Sequence, residues 1–324
     1  MKMRVFPVAV LAAGIFTFAA TTVFAQSDFN QGRGKAVVTV VPQKNASVSP
    51  EISENQLALK VNGKPATVSK WERLQGSSAP LQLVVMIDDG ARGSIGTQLK
   101  DIAQFIQKLP PSAEVAVAYM DNGRANFSGP LSIDHSAVAR ELRQPLGQPG
   151  VSGSPYFCLS DLAHHWPANN QSARRTVVMI SDGVDNYEVR YNPEDPYLQA
   201  AIHDAVRSRI SVYSIYWRSG GAFDRSWYAA SDGQNLLAEL TDATGGYSYW
   251  QGVGNPVSLQ PYFENLSKRL SNQYGLTFTV PLSGNPGVEA LSLRANGASA
   301  KLVAPKQVYV GHPASGQEQG AAGQ

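Results

Sequence analysis

The segment from Leu81 to Ile87 is a nearly continuous apolar run that stops abruptly at Asp88-Asp89-Gly90. A strand that reads this way is covered on both faces, and such strands belong to parallel sheets whose crossovers lay helices on either side. The following chain keeps that grammar. Ile95, Leu99, Ile102, Ala103 and Ile106 recur at helical spacing, with Ser94 placed to cap the first turn. Glu114 to Asp121 supplies a second buried strand. The pattern returns as Thr176 to Ile180, then a helix carrying Leu198, Ile202 and Val206 behind Asp195-Pro196, then Ser211 to Trp217. Leu236 to Ala243 is a short helix that Gly245-Gly246 terminates, and Tyr247 to Trp250 is a last strand. Leu259, Phe263, Leu266 and Leu270 mark a closing amphipathic helix. The expectation is an α/β fold, a doubly wound and mostly parallel sheet with helices on both faces.

The flanks obey a different rule. Val37 to Val41, and Leu57, Leu59 and Val61 alternating with polar neighbours, read as strands. Asn62-Gly63 suits the positive φ values of a tight hairpin turn. Beyond the closing helix, Leu276, Phe278 and Val280 alternate with Thr277 and Thr279, and Leu291, Leu293 and Ala295 with Ser292 and Arg294, which is the pattern of half-buried antiparallel strands. The simplest assembly joins these N- and C-terminal strands into a small β unit flanking the α/β domain. The division expected is 26–79 for the N-terminal β segment with its linker, 80–273 for the α/β domain and 274–311 for the C-terminal strands. The tail 312–324 is expected to be disordered.

Residues 1–25 have the layout of a secretory signal: Lys2 and Arg4, an apolar stretch from Val5 to Ala20, then Val23-Phe24-Ala25 before Gln26. The chain is therefore expected to be exported, to a periplasm or the extracellular space, and to meet the membrane only through this signal. The formal charge of +2 falls to near zero once Lys2 and Arg4 leave, and the remaining charges are scattered. Such a balance argues against nucleic acid as a partner. Cys158, the only cysteine, sits in an apolar run and reads as a buried small hydrophobe.

In open α/β sheets ligands bind at the carboxyl ends of the strands. Those ends bring forward Asp88-Asp89, Asp121 and Ser181-Asp182-Gly183, with Ser152 and Ser154 in an intervening loop. Carboxylates and hydroxyls there are oxygen ligands for a hard cation such as Mg²⁺, and they are equally ordinary helix caps. The succession Leu81 to Asp89, Glu114 to Asp121, Arg175 to Asp185 and Leu240 to Tyr247 resembles a von Willebrand factor A domain. The run from Arg174 to Asn186, together with Thr244-Gly245-Gly246 and Asn272-Gln273-Tyr274, resembles the bacterial exported proteins related to that domain. The resemblance spans nearly all of the mature chain. It implies a Rossmann-like sheet and a metal-ion-dependent adhesion site built from an Asp-x-Ser-x-Ser loop, a separate Thr and a separate Asp. Residue by residue, the first Asp falls on Asp88 and the separate Asp on Asp182, while the serine positions fall on Gly90 and Arg92, which supply no hydroxyl. Ser154 takes the Thr position. The implied site is degenerate, with Mg²⁺ held weakly or not at all and no cofactor expected. Arg92 either stands in for the metal by pairing with Asp88 or Asp182, or points to solvent. Asp89 is a further carboxylate at hand.

Two enzymatic readings compete. Gly90, Gly93 and Gly96 open a helix after an apolar strand, as a nucleotide loop does, but their spacing is G-x-x-G-x-x-G and Asp88-Asp89 repels a pyrophosphate. A secreted hydrolase would draw on Asp161, His164 and His165 near Ser152 and Ser154, yet no Ser lies in Gly-x-Ser-x-Gly and no His-Glu-x-x-His occurs. The expectation is a non-enzymatic adhesion or scaffold module that binds a protein partner. Tyr187, Tyr191, Tyr197, Trp217, Phe223, Trp227 and Tyr228 are aromatic candidates for the contact surface.

Overall fold

The computed structural model describes residues 31–42, 51–76, 79–91, 93–148, 154–170, 172–185, 187, 192, 194–218, 227–249, 252, 254–282, 284–297 and 300–312. The expected export signal at 1–25, Arg92, Ser152, Tyr191, Phe223 and all but His312 of the 312–324 tail lie outside these residues.

Four strands precede the central region: β1 (Gln31–Pro42), β2 (Leu57–Val61), β3 (Lys64–Pro65) and β4 (Thr67–Arg73). The central region begins with β5 (Leu81–Asp88), α1 (Leu99–Gln107), β6 (Glu114–Asp121), β7 (Arg124–Phe127), α2 (His135–Arg140) and α3 (Pro155–His164). It continues through β8 (Arg174–Ser181), α4 (Pro196–Arg207), β9 (Ile210–Tyr216), α5 (Trp227–Thr244), β10 (Tyr247–Tyr249) and α6 (Gln260–Ser271). The chain then forms β11 (Gln273–Pro281), β12 (Gly287–Ala295), β13 (Ala300–Val303) and β14 (Gln307–Gly311).

The expected doubly wound, mostly parallel sheet with a small β appendage is not the architecture. Among the described residues the larger sheet is antiparallel and eight-stranded, in the order β3-β2-β12-β14-β1-β11-β4 with β13 also on β1. The second sheet is mixed and six-stranded, in the order β10-β9-β8-β5-β6-β7. Its neighbours pair parallel from β10 to β6, whereas β7 runs antiparallel to β6. The reversal at β7 comes from Asn122 (φ 49°) and Gly123 (φ 74°), two successive left-handed residues of the kind a two-residue hairpin requires. Asn62 (φ 47°) and Gly63 (φ 74°) make the same turn between β2 and β3.

Side chains from the two faces of the mixed sheet enter separate cores. Leu83, Val85 and Ile87 pack with α1 and α6, where Phe105 and Phe263 stack at 4.5 Å. Val84 and Met86 pack on the opposite side with α3, α4 and α5. Each fully buried side chain of this size contributes about 1.5–3 kcal/mol relative to its exposed state.

The antiparallel sheet covers its own apolar face. Leu59 and Val61 of β2 share a core with Val68 and Trp71 of β4, although those strands are far apart in the strand order, so the sheet is curled. Its outer face meets the mixed sheet's helices, with Val288 and Tyr309 packed onto the α3–α4–α5 core. This arrangement leaves the carboxyl ends of β5 and β8 free of the second sheet and sets their amino ends against it.

Candidate functional site

Strands β5 and β8 run side by side from Leu81 opposite Arg174 to Ile87 opposite Ile180, so Asp88 and Asp182 emerge from adjacent strand ends. The chain turns at once after Asp88. Gly90 N donates to Asp88 Oδ1 at 2.8 Å and Ala91 N to the Asp88 carbonyl at 3.0 Å. Ser181 Oγ donates to Asp88 Oδ2 at 3.4 Å and itself accepts from Gly183 N at 3.1 Å. Asp182 Oδ1 in turn accepts from Val184 N at 3.1 Å. The buried carboxylates thus receive backbone N–H groups of their own loops, which stabilises the turns.

Asp89 is directed to a different partner. Arg143 donates to its two oxygens at 2.6 Å and 3.4 Å, and Leu146 N donates to Oδ1 at 3.0 Å. The Arg143 guanidinium lies 3.7 Å from the centre of the Tyr119 ring. Tyr119 Oη donates to the Arg143 carbonyl and accepts from Arg143 N, both at 2.7 Å. Burial raises the Tyr119 hydroxyl above its ordinary pKa, and the bond with the Arg143 backbone opposes the rise. Asp89 is therefore the anchor of the loop that follows α2.

Ser154 caps α3, accepting from Tyr156 N at 3.3 Å, and Pro155 occupies the first helical position. Its hydroxyl proton goes to Asp185 Oδ2 at 2.7 Å, while Asp185 Oδ1 accepts from Tyr187 N at 2.7 Å. Tyr156 Oη donates to the Gly183 carbonyl at 2.6 Å. Burial raises that phenol well above its ordinary pKa, with Asp195, Asp185 and Asp182 adding to the effect. Gly183 has φ 69°, and a Cβ there would strike the Gly233 carbonyl of α5. The loop after β8 is consequently pinned on one side to the start of α3 and on the other to α5.

The structure brings Asp88, Ser154 and Asp182 to one end of the mixed sheet, where each has hydrogen-bond partners within the protein. Ser154 Oγ is occupied as cap and donor, and one oxygen each of Asp88 and Asp182 accepts from backbone N–H. Among the described residues no three His, Cys, Asp or Glu side chains come together as metal ligands. Asp185 and Arg143 are the partners that sequence reasoning missed, because contacts 31 and 54 residues apart leave no spacing signal.

The hydrolase candidates are separated by α3. Ser154 precedes its first turn, whereas His164 is its last residue, a rise of roughly 15 Å. His164 Nε2 lies 3.5 Å from Asp204 Oδ1, and His165 Nδ1 lies 3.1 Å from Asp161 Oδ1. Asp161 Oδ2 accepts from Ala125 N at 3.1 Å, tying α3 to β7. Cys158 is fully buried, and burial pushes its thiol far above the ordinary range.

Of the aromatic candidates, Tyr187 and Tyr197 form a cluster with Phe157 of α3, with ring centres 5.4 Å and 4.7 Å from that of Phe157. Tyr187 is 59% exposed and Phe157 37%. Trp217 is buried at the end of β9.

No family model and no curated protein matches the chain. Solved structures similar to it include an aerotolerance-related membrane protein from Bacteroides fragilis carrying multiple mutations to serine, at 11% identity and a TM-score of 0.41, covering 59% of this chain and 98% of that one. A conserved hypothetical protein, BatB, from Bacteroides thetaiotaomicron is similar at 12% identity and a TM-score of 0.39, over 60% of this chain and 97% of its own. The pilus adhesin SpaC from Lactobacillus rhamnosus GG, in its open conformation, is similar at 8% identity and a TM-score of 0.42, over 83% of this chain and 49% of its own. No helix among the described residues is long and apolar enough to cross a membrane.

Proposed function

We propose that the chain is an exported, non-enzymatic adhesion or scaffold module, related by its motifs to von Willebrand factor A domain proteins, that meets a protein partner with the carboxyl-end loops of its mixed sheet. The observation that carries this reading is that Asp185 receives both the Ser154 hydroxyl and Tyr187 N, fixing the loop after β8 to the start of α3 where Tyr187 meets Phe157 and Tyr197 in an exposed aromatic cluster. Loops fixed in this way present a surface that loses little conformational freedom on binding, and exposed aromatic rings suit an interface anchor. A degenerate adhesion site and a contact independent of Mg²⁺ belong to the same proposal, and they are supported by Asp88 and Asp182 each accepting a backbone N–H of their own loop.

The test is photo-crosslinking in the exporting cell with a photoreactive amino acid at Tyr187, compared with one at exposed Lys108 at the far end of α1. A discrete protein adduct from position 187 alone, unchanged by a chelator, is the expected result. Adduct formation that vanishes with chelator would restore a metal-dependent mechanism. Reproducible turnover lost in Ser154→Ala would replace the binding module with an enzyme.

A further inference from the structure

At the opposite end of the mixed sheet lies a cleft of about 420 Å³ between the two sheets. Its walls are the amino ends of β8 and β9, Val206 and Arg209 at the end of α4 and the turn after it, and the outward face of β1, β11 and β4. Five cationic side chains line it, namely Arg33, Lys35, Lys70, Arg174 and Arg209, against the single carboxylate of Glu72. Glu72 is already paired with Lys70 at 2.8 Å. The cations come from four separate stretches of chain, so no local sequence run accounts for their gathering.

The register of the antiparallel sheet sharpens the point. Lys35 of β1 stands opposite Thr277 of β11, and Thr277 stands opposite Lys70 of β4. The two lysines therefore share one face of the sheet with a threonine between them, roughly 10 Å apart across two strand spacings. On β1 the same face is buried at Thr39 and exposed at Lys35 and Arg33, so the sheets touch at one end and diverge into the cleft. Arg174 enters from β8, donating to the Leu270 carbonyl at 2.8 Å and to Gln273 Oε1 at 2.6 Å. Both acceptors are uncharged, so these bonds hold the guanidinium in place without neutralising it. The floor between the cations is apolar, with Val37, Leu74 and Ile210.

We infer that this cleft binds a small organic dianion, a phosphate ester or a dicarboxylate, with its charged groups among Arg33, Lys35, Arg174 and Arg209 and its apolar body against Val37 and Leu74. The volume matches the range of small-molecule sites, which are largely apolar with a few placed polar groups. Guanidinium forks and ammonium groups are the chemistry that recognises phosphate and carboxylate oxygens. The inference does not depend on the proposed protein-binding role, because the two sites lie at opposite ends of the mixed sheet.

Calorimetric titration of the purified full chain with phenyl phosphate and with phthalate at low salt tests it, with inorganic phosphate and benzoate as reduced probes. At least one organic dianion should bind, more tightly than its reduced counterpart and less tightly as salt rises. Lys35→Glu, at an exposed position where folding should be unaffected, should weaken that binding by roughly tenfold or more, the loss of one charge-assisted contact. Lys60→Glu, on β2 and outside the cleft, should not. A melting curve confirms that each variant is folded. Silence with both organic dianions overturns the inference. Equal losses in Lys35→Glu and Lys60→Glu reduce it to general charge attraction and overturn it as well.

Discussion

At the carboxyl ends of the mixed sheet the charged side chains are carboxylates turned inward onto backbone N–H groups, while at its amino ends they are cations around an open cleft. Asp88, Asp182 and Asp185 each accept from a nearby backbone N–H, and the first two are 7% and 2% exposed. Arg33, Lys35 and Lys70 are exposed strand residues of the second sheet. The contrast shows that a row of acidic residues at strand ends has a structural use of its own. Such residues satisfy turns and caps at little cost when backbone donors are close, whereas like charges gathered from four chain segments repel one another.

The comparison breaks most clearly at Asp89. Asp89→Ala leaves Arg143 without its carboxylate and Leu146 N without an acceptor, and should destabilise the protein by about 2–4 kcal/mol, somewhat below a fully buried pair because Arg143 is 37% exposed. Urea unfolding monitored by Trp fluorescence measures this. A loss under half a kcal/mol would show the carboxyl end to be as loosely held as the cleft. Ser154→Ala removes both a helix cap and the donor to Asp185, and should cost about 1–2 kcal/mol in the same experiment. Asp185→Asn, which keeps an acceptor, should cost less. At the cleft, Lys70→Ala should change stability by no more than about 0.5 kcal/mol, because its ion pair with Glu72 is solvent-exposed. A larger loss would make the cleft cations structural and erase the distinction between the two ends.

Much of the chain was legible one element at a time. Asp195 accepts from Tyr197 N and Leu198 N, both at 2.9 Å, and Pro196 opens α4, as the Asp-Pro pair ahead of an amphipathic stretch predicts. Asn62-Gly63 makes its hairpin. Asn122-Gly123 carries the identical signal, yet the antiparallel edge strand β7 behind it is only four residues long and too short to show an alternation. The size of the second sheet was hidden for the same reason. Strands β3 and β13 are only two and four residues long, and so short a run shows no reliable alternation. At the site, positions were legible and partners were not. Asp88 and Ser154 occupy the ends of elements that periodicity locates, whereas the Asp89–Arg143 and Ser154–Asp185 bonds exist only because α2, α3 and the loop after β8 are folded together.

Strand β1 is zipped along its length to strands from the far end of the chain: Gln31 opposite Pro281, Thr39 opposite Gln273 and Val303, and Arg33 opposite Gly311. The curled sheet therefore cannot close until nearly three hundred residues have been delivered, while every strand of the mixed sheet is available earlier. Pairings so remote in sequence must overcome a large loop-closure entropy and are slow to form. On a chain that emerges N-terminus first, β1 waits as an unpaired edge, with the alternating residues that invite association with other chains. The order of folding is thus constrained by topology, since β1 has no partner along its edge until β11 to β14 arrive.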